Sequence, residues 1–160
     1  MSLLLRSLTT VAAVGAATAG GALFTFSTFT IGGLRRLPPA QGAAAMQSIN
    51  RQATTPLFML VLFGTAAVCL AIGIHATLHL GETSARYRLA AAALYLGGVV
   101  IVTIGYHVPR NDALAALDPD SVEGMRYWAT YLEQWVPMNH LRTAAAVLAA
   151  ALFTISLQVD

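Results

Sequence analysis

The stretch WVPMNHLRT, Trp135 to Thr143, sets an amide, an imidazole and a guanidinium (Asn139, His140 and Arg142) at the head of the apolar run AAAVLAAALFTISL. These are groups that do chemistry together. An imidazole, with an ordinary pKa of about 6.5, takes and returns a proton near neutral pH. Amide and guanidinium N–H groups stabilise negative charge as it forms on a bound oxygen. On a helix, Asn139, Arg142 and Thr143 share one face, and His140 points roughly 100° away, toward a neighbouring helix. Similar residues cluster elsewhere: Asn50 and Arg51 in SINRQ, and His107, Arg110 and Asn111 in YHVPRND.

The elements that position these groups follow from composition. Of 160 residues, 57% are hydrophobic and 10% charged, against roughly 25% charged in a soluble domain. The expected class is an all-α integral membrane protein. All nine basic residues are arginine and are scattered without a basic stripe, so no nucleic-acid partner is expected. The single cysteine, Cys69, excludes an intrachain disulfide. Crossing a bilayer takes roughly 20 apolar residues as a helix, and four stretches qualify, at about 8–32, 56–78, 88–107 and 141–158. The first runs past the apolar core of a signal peptide without a small-residue cleavage site, and is read as a retained span. Small residues (Gly15, Ala16, Ala19, Gly20, Gly97, Gly98) permit close helix approach. The expectation is a four-helix bundle forming one domain, with a homo-oligomer as an open option.

Two connections carry further helices. Pro38-Pro39 opens one at about 39–53, with Ala43, Met46 and Asn50 on one face, proline being tolerated in a first turn. Asp118-Pro119 makes a turn, and Asp120 with Glu123 reads as a capping box for a helix at about 121–134. Its Tyr127, Trp128 and Tyr131, with Trp135 beyond, are residue types of the headgroup boundary, so it is expected to lie on the membrane surface and roof the bundle. With antiparallel spans, His107, Asn111, Asn50, Arg51, Asn139, His140 and Arg142 all arrive at one end. Polar groups there also snorkel or cap helices. A set of ionisable groups at membrane depth more often faces a cavity. Arginines divide between the two sides so evenly that orientation stays open.

Metal readings come from four histidines. His75 and His79 stand one helical turn apart, ahead of Glu82, a spacing that suits a metal. His107 and His140, on separate spans, could face each other and hold copper or a non-covalent bis-histidine haem. No nucleotide-binding loop, no nucleophile elbow and no paired carboxylate within a span is present.

The order FSTF…LRRLPPAQGAAAMQSINRQ, then VPRNDALAALDPDS, then WVPMNHLRT resembles the anthrone-oxygenase-like family of small four-helix membrane proteins. A few fungal and bacterial members oxidise anthrones to anthraquinones, and most relatives have no assigned substrate. Position by position, the resemblance singles out Asn50, Arg51, Asn111, Asp112, Trp135, Asn139, His140 and Arg142. Where His107 stands, many relatives carry asparagine, which argues against an obligatory metal ligand there. The resemblance implies an O₂-dependent oxidation of a hydrophobic polycyclic or phenolic substrate without a prosthetic group. His140 would be the base, Asn139 and Arg142 oxyanion donors, Asn50, Arg51 and Asn111 substrate contacts, and Trp135 a stacking surface. The expected partners are the bilayer and a hydrophobic small molecule or lipid, in a bacterial plasma membrane. The competing expectation is a non-enzymatic membrane subunit or a lipid- or quinone-binding protein.

Overall fold

The computed structural model describes residues 1–159, and every regular element among them is helical. Four long helices are apolar enough to cross a membrane: α1 (Leu3–Leu34), α3 (Pro56–Thr77), α4 (Thr83–Ala115) and α5 (Val122–Ser156). A shorter helix, α2 (Pro39–Gln52), fills the first long connection. The protein is thus an all-helical four-span bundle, an integral membrane protein. Large apolar side chains such as Leu57, Leu60, Leu70, Ile74 and Ile101 lie outward, which suits contact with lipid.

Local chemistry sets the helix ends. Ser2 Oγ accepts from the Leu5 amide at 3.2 Å to cap α1. Pro39 and Pro56 occupy first-turn positions, where a missing N–H costs nothing. For α5 the cap is Ser121, accepting from the Gly124 amide at 2.9 Å, rather than Asp120. Gly124 is required there, since a Cβ would sit 2.1 Å from the Asp118 carbonyl oxygen.

Between the spans, small residues do the packing. Ala12, Ala16 and Ala19 of α1 and Ala145, Ala146 and Ala149 of α5 belong to one buried core. A Cβ on Gly98 of α4 would come within 2.4 Å of the Ala145 Cβ. Van der Waals contact at this range replaces the hydrophobic effect as the force between helices in lipid. At the end bearing both termini, the fully buried Arg88 donates to Glu82 at 3.3 Å and closes the bundle.

Two expectations change. Three helices, α1, α4 and α5, run beyond their expected spans, and α4 joins α5 through the short segment 116–121. No separate surface helix exists at 121–134: that segment is the first half of α5, continuous through Pro137. The buried stripe explains it. Gly124, Trp128, Tyr131, Trp135, Asn139 and Arg142 recur at three- and four-residue steps on one face, while Pro137 is exposed on another. Burial of Trp128, Tyr131 and Trp135 against α2 and the ends of α1 and α4 makes a second small core. The roof over the bundle is therefore α2, and Gly42 admits it: a Cβ there would be 2.9 Å from Trp128 Nε1.

Candidate functional site

π-Helical turns interrupt three of the spans at Phe26–Thr30, Leu60–Gly64, Leu94–Ile101 and Thr103–His107. They widen the helix and often accompany functional sites. Carbonyls in or next to them accept side-chain hydrogen bonds: Leu62 O from Tyr95 OH at 3.1 Å, Val99 O from Thr103 Oγ1 at 2.6 Å, and Leu23 O from Asn139 Nδ2 at 2.8 Å.

The segments Phe26–Thr30, Leu60–Gly64 and Thr103–His107 border a cavity of about 200 Å³ under α2, with walls from all five helices. Most of the wall is apolar, including Leu23, Phe26, Met46, Phe58, Met59 and Leu62. Few polar groups interrupt it: Asn50, Thr54, Thr103, His107, Asn111 and Arg142. That mixture suits an apolar ligand oriented by a small number of polar contacts.

Two polar networks frame the space. In the first, Asn139, with no exposed surface, donates to Leu23 O and Ser27 Oγ, and accepts from Arg142 Nη2. Arg142 Nη1 donates to Thr103 Oγ1 at 3.2 Å. The guanidinium has no carboxylate partner among the described residues, and its Nε is buried without a hydrogen bond. In the second, Asn50 Nδ2 donates to Tyr131 OH at 3.4 Å, and Tyr131 OH donates to Asn111 Oδ1 at 2.7 Å. Trp135 Nε1 donates to the same Asn111 oxygen at 3.2 Å. This chain ties α2, α4 and α5 together across the roof.

Trp135 joins the networks. Its ring meets the His107 imidazole edge-to-face at 5.0 Å, and the Arg142 guanidinium lies 5.5 Å from the ring centroid. His107 is 1% exposed. The Met138 backbone lies near it, yet neither ring nitrogen completes a hydrogen bond among the described residues. An imidazole whose ring nitrogens lack a hydrogen-bond partner and a guanidinium lacking an anion thus line one apolar space, both next to the Trp135 indole.

The sequence model of the anthrone oxygenase family matches residues 55–152, from the start of α3 into the last turns of α5. The chain belongs to the anthrone oxygenase family. No curated protein and no solved structure matches it.

In this family member the residues expected from sequence divide into two groups. Asn50, Asn111, Trp135 and Arg142 line the cavity, and Asn139 braces Arg142 from behind. Arg51 and Asp112 are exposed and outside the cavity wall. His140 lies outside the cavity wall. The α5 stripe places Trp135, Asn139 and Arg142 inward, so the residue after Asn139 turns about 100° away and is exposed. His107, read from sequence only as a metal candidate, takes the inward place. One of the two imidazoles expected to face each other, His107, lines the cavity, and the other, His140, lies outside its wall.

At the other end, His75 and His79 stack at 4.1 Å, and His79 Nδ1 donates to the His75 carbonyl oxygen at 2.8 Å. Glu82 is engaged by Arg88, and no group of three or more His, Cys, Asp or Glu suits a metal among the described residues.

Sequence reasoning missed three contributors. Thr103 and Tyr131 look like ordinary span and boundary residues, and only their partners reveal them. Gln47, whose Nε2 donates to Leu114 O at 2.8 Å and Leu117 O at 2.9 Å, caps the end of α4 and seats α2. Its place four residues after Ala43, on the buried face of α2, was the available signal.

Proposed function

We propose that this protein oxidises a hydrophobic, ring-bearing substrate of the anthrone or phenol type with O₂, with His107 as proton acceptor and Arg142 as anion stabiliser. One observation carries the reading. The unpaired guanidinium of Arg142 and the unpartnered imidazole of His107 line the same apolar cavity. A buried cation without a counter-ion is costly, and an anion generated beside it would offset that cost.

The chemistry follows. A ring nitrogen of His107 removes a proton from the acidic methylene carbon of the anthrone, leaving a delocalised enolate. Its oxygen is stabilised by Arg142, with Asn111 and Asn50 as further polar contacts on the wall. The electron-rich ring passes an electron to O₂, and recombination forms a carbon–oxygen bond to a hydroperoxide. Loss of the second methylene proton and cleavage of the oxygen–oxygen bond release water and leave a carbonyl. The sum is anthrone plus O₂ to anthraquinone plus water, with O₂ the sole oxidant, so the sequence of steps calls for no prosthetic group. Trp135 gives the cavity an aromatic wall beside the flat ring, and α2 excludes water. Where relatives carry asparagine in place of His107, another proton acceptor is needed, so the assignment is for this chain. The setting we propose is a bacterial plasma membrane.

The test is O₂ uptake and anthraquinone formation by purified protein in lipid nanodiscs supplied with anthrone, beside protein-free discs that report autoxidation. Equal uptake and product, well above that background, is expected. A rate no higher than background would sink the oxidase and leave a lipid- or quinone-binding role. Metal analysis and a visible spectrum of the same sample decide copper and haem.

A further inference from the structure

The cavity is roofed by α2, and its exposed lining residues, Thr54, Phe63 and Val108, lie on the α3 and α4 side. Above it lies α2, whose Met46, Ile49 and Asn50 face inward, and the Asn50–Tyr131–Asn111 hydrogen-bond chain ties that roof down. On the flank, α3 and α4 pack together between Thr65–Thr77 and Thr83–Ile101, and make no extended backbone approach between Pro56–Gly64 and Thr103–Ala115. The hydrogen bond from Tyr95 to Leu62 O marks the floor of the resulting gap.

The wall is graded along this gap. Its inner residues are buried, Met46 at 1%, His107 at 1%, Leu62 at 3% and Trp135 at 4% exposed, whereas Phe63 at 40% and Val108 at 42% form the rim. The polar groups His107 and Arg142 are on the buried part; Thr54, exposed at the turn before α3, is the polar end of a rim continued by apolar Phe63 and Val108. Depth follows from helix length. At 1.5 Å per residue the 22 residues of α3 span about 33 Å, close to the roughly 30 Å of bilayer hydrocarbon. Pro56 then marks the membrane boundary, and Phe63 lies about 10 Å below it along the axis.

We infer that the cavity takes its ligand sideways out of the bilayer, through the gap between α3 and α4. The oxygenated ring is held inside by His107 and Arg142, and any apolar remainder trails past Phe63 into the acyl chains. The ligand class is therefore a lipid-dissolved ring compound, including one carrying a long alkyl tail that a closed pocket would refuse. This rests on the proposed function only for the fate of the ring; the path stands on geometry alone.

The experiment reads contact rather than turnover, so its failure is separable from failure of the oxidase. The protein is placed in phosphatidylcholine nanodiscs doped with a phospholipid whose acyl chain bears benzophenone near its middle. After irradiation, adducts are mapped by mass spectrometry. Adducts on buried Met46 and Leu62 are expected, alongside those on outward Leu60 and Ile104. Narrowing the rim with Phe63→Trp plus Val108→Trp, both exposed positions, is expected to cut the cavity adducts at least tenfold and leave Ile104 labelling unchanged. Labelling of unmodified protein confined to Leu60, Ile104 and other outward residues would overturn the inference, whether or not the double variant folds. So would cavity adducts that persist undiminished in a folded double variant.

Discussion

Arg142 reaches back one helical turn to Asn139, and the contact sets the site. Asn139 accepts from the guanidinium and donates across the bundle to the Leu23 carbonyl and Ser27 hydroxyl on α1. A cation on α5 is thereby fixed to the backbone of another helix, beside the π-helical turn at Phe26–Thr30.

Truncating Asn139 to alanine removes this brace and takes a partner from Ser27 Oγ and from Arg142 Nη2, while Leu23 O keeps the Phe26 amide. An unsatisfied buried polar group costs about 1–3 kcal/mol. Asn139→Ala is expected to lose at least that much, read as a lowered thermal midpoint in mild detergent. Thr154→Ala, at an exposed hydroxyl bonded only to its own helix, serves as the comparison and should be nearly silent.

The two histidines of the site end give a sharp contrast. A positioned general base contributes about 10²–10⁴-fold to rate, so His107→Ala is expected to slow anthrone oxidation within that range. His140→Ala, at an exposed position, should stay within about twofold of wild type on the same reasoning. The reverse ranking, with both variants folded and inserted, would return the proton-accepting role to His140.

Replacing Arg142 with methionine removes the charge and keeps an unbranched side chain to fill the space. Losing one preorganised donor to a developing oxyanion costs about 10²–10³ in kcat. The expected result is a folded protein with kcat reduced on that scale and little change in KM. A rise in KM with kcat unchanged would instead mean that Arg142 serves binding alone.

Close helix approach is testable at Gly98. Because a Cβ there would lie 2.4 Å from the Ala145 Cβ, Gly98→Leu must push α4 away from α5. Overpacking of this kind costs about 1–3 kcal/mol. Gly97→Leu, where a Cβ meets nothing within 4 Å, should be tolerated, and the pair compared by thermal melting isolates the contact.

The sequence alone determined the class, the four spans, the α2 helix and the end at which polar groups gather. Those follow from length and composition: a run of apolar residues long enough to cross hydrocarbon must be a helix, because its backbone has no other hydrogen-bond partner there. Antiparallel order then fixes which ends are level. Tertiary packing decided which way each helix turns about its axis. In a bilayer the lipid side and the protein side of a helix are equally apolar, so hydrophobic periodicity carries little phase information. In α5 that phase came from small residues pressing on α1 and from Trp128, Tyr131 and Trp135 packing under α2. It sends Arg142 inward and His140 outward, and it makes one straight-through helix of what reads as a surface helix and a span. The same freedom let His107, read from sequence as a metal candidate at the end of a span, become the imidazole that lines the cavity.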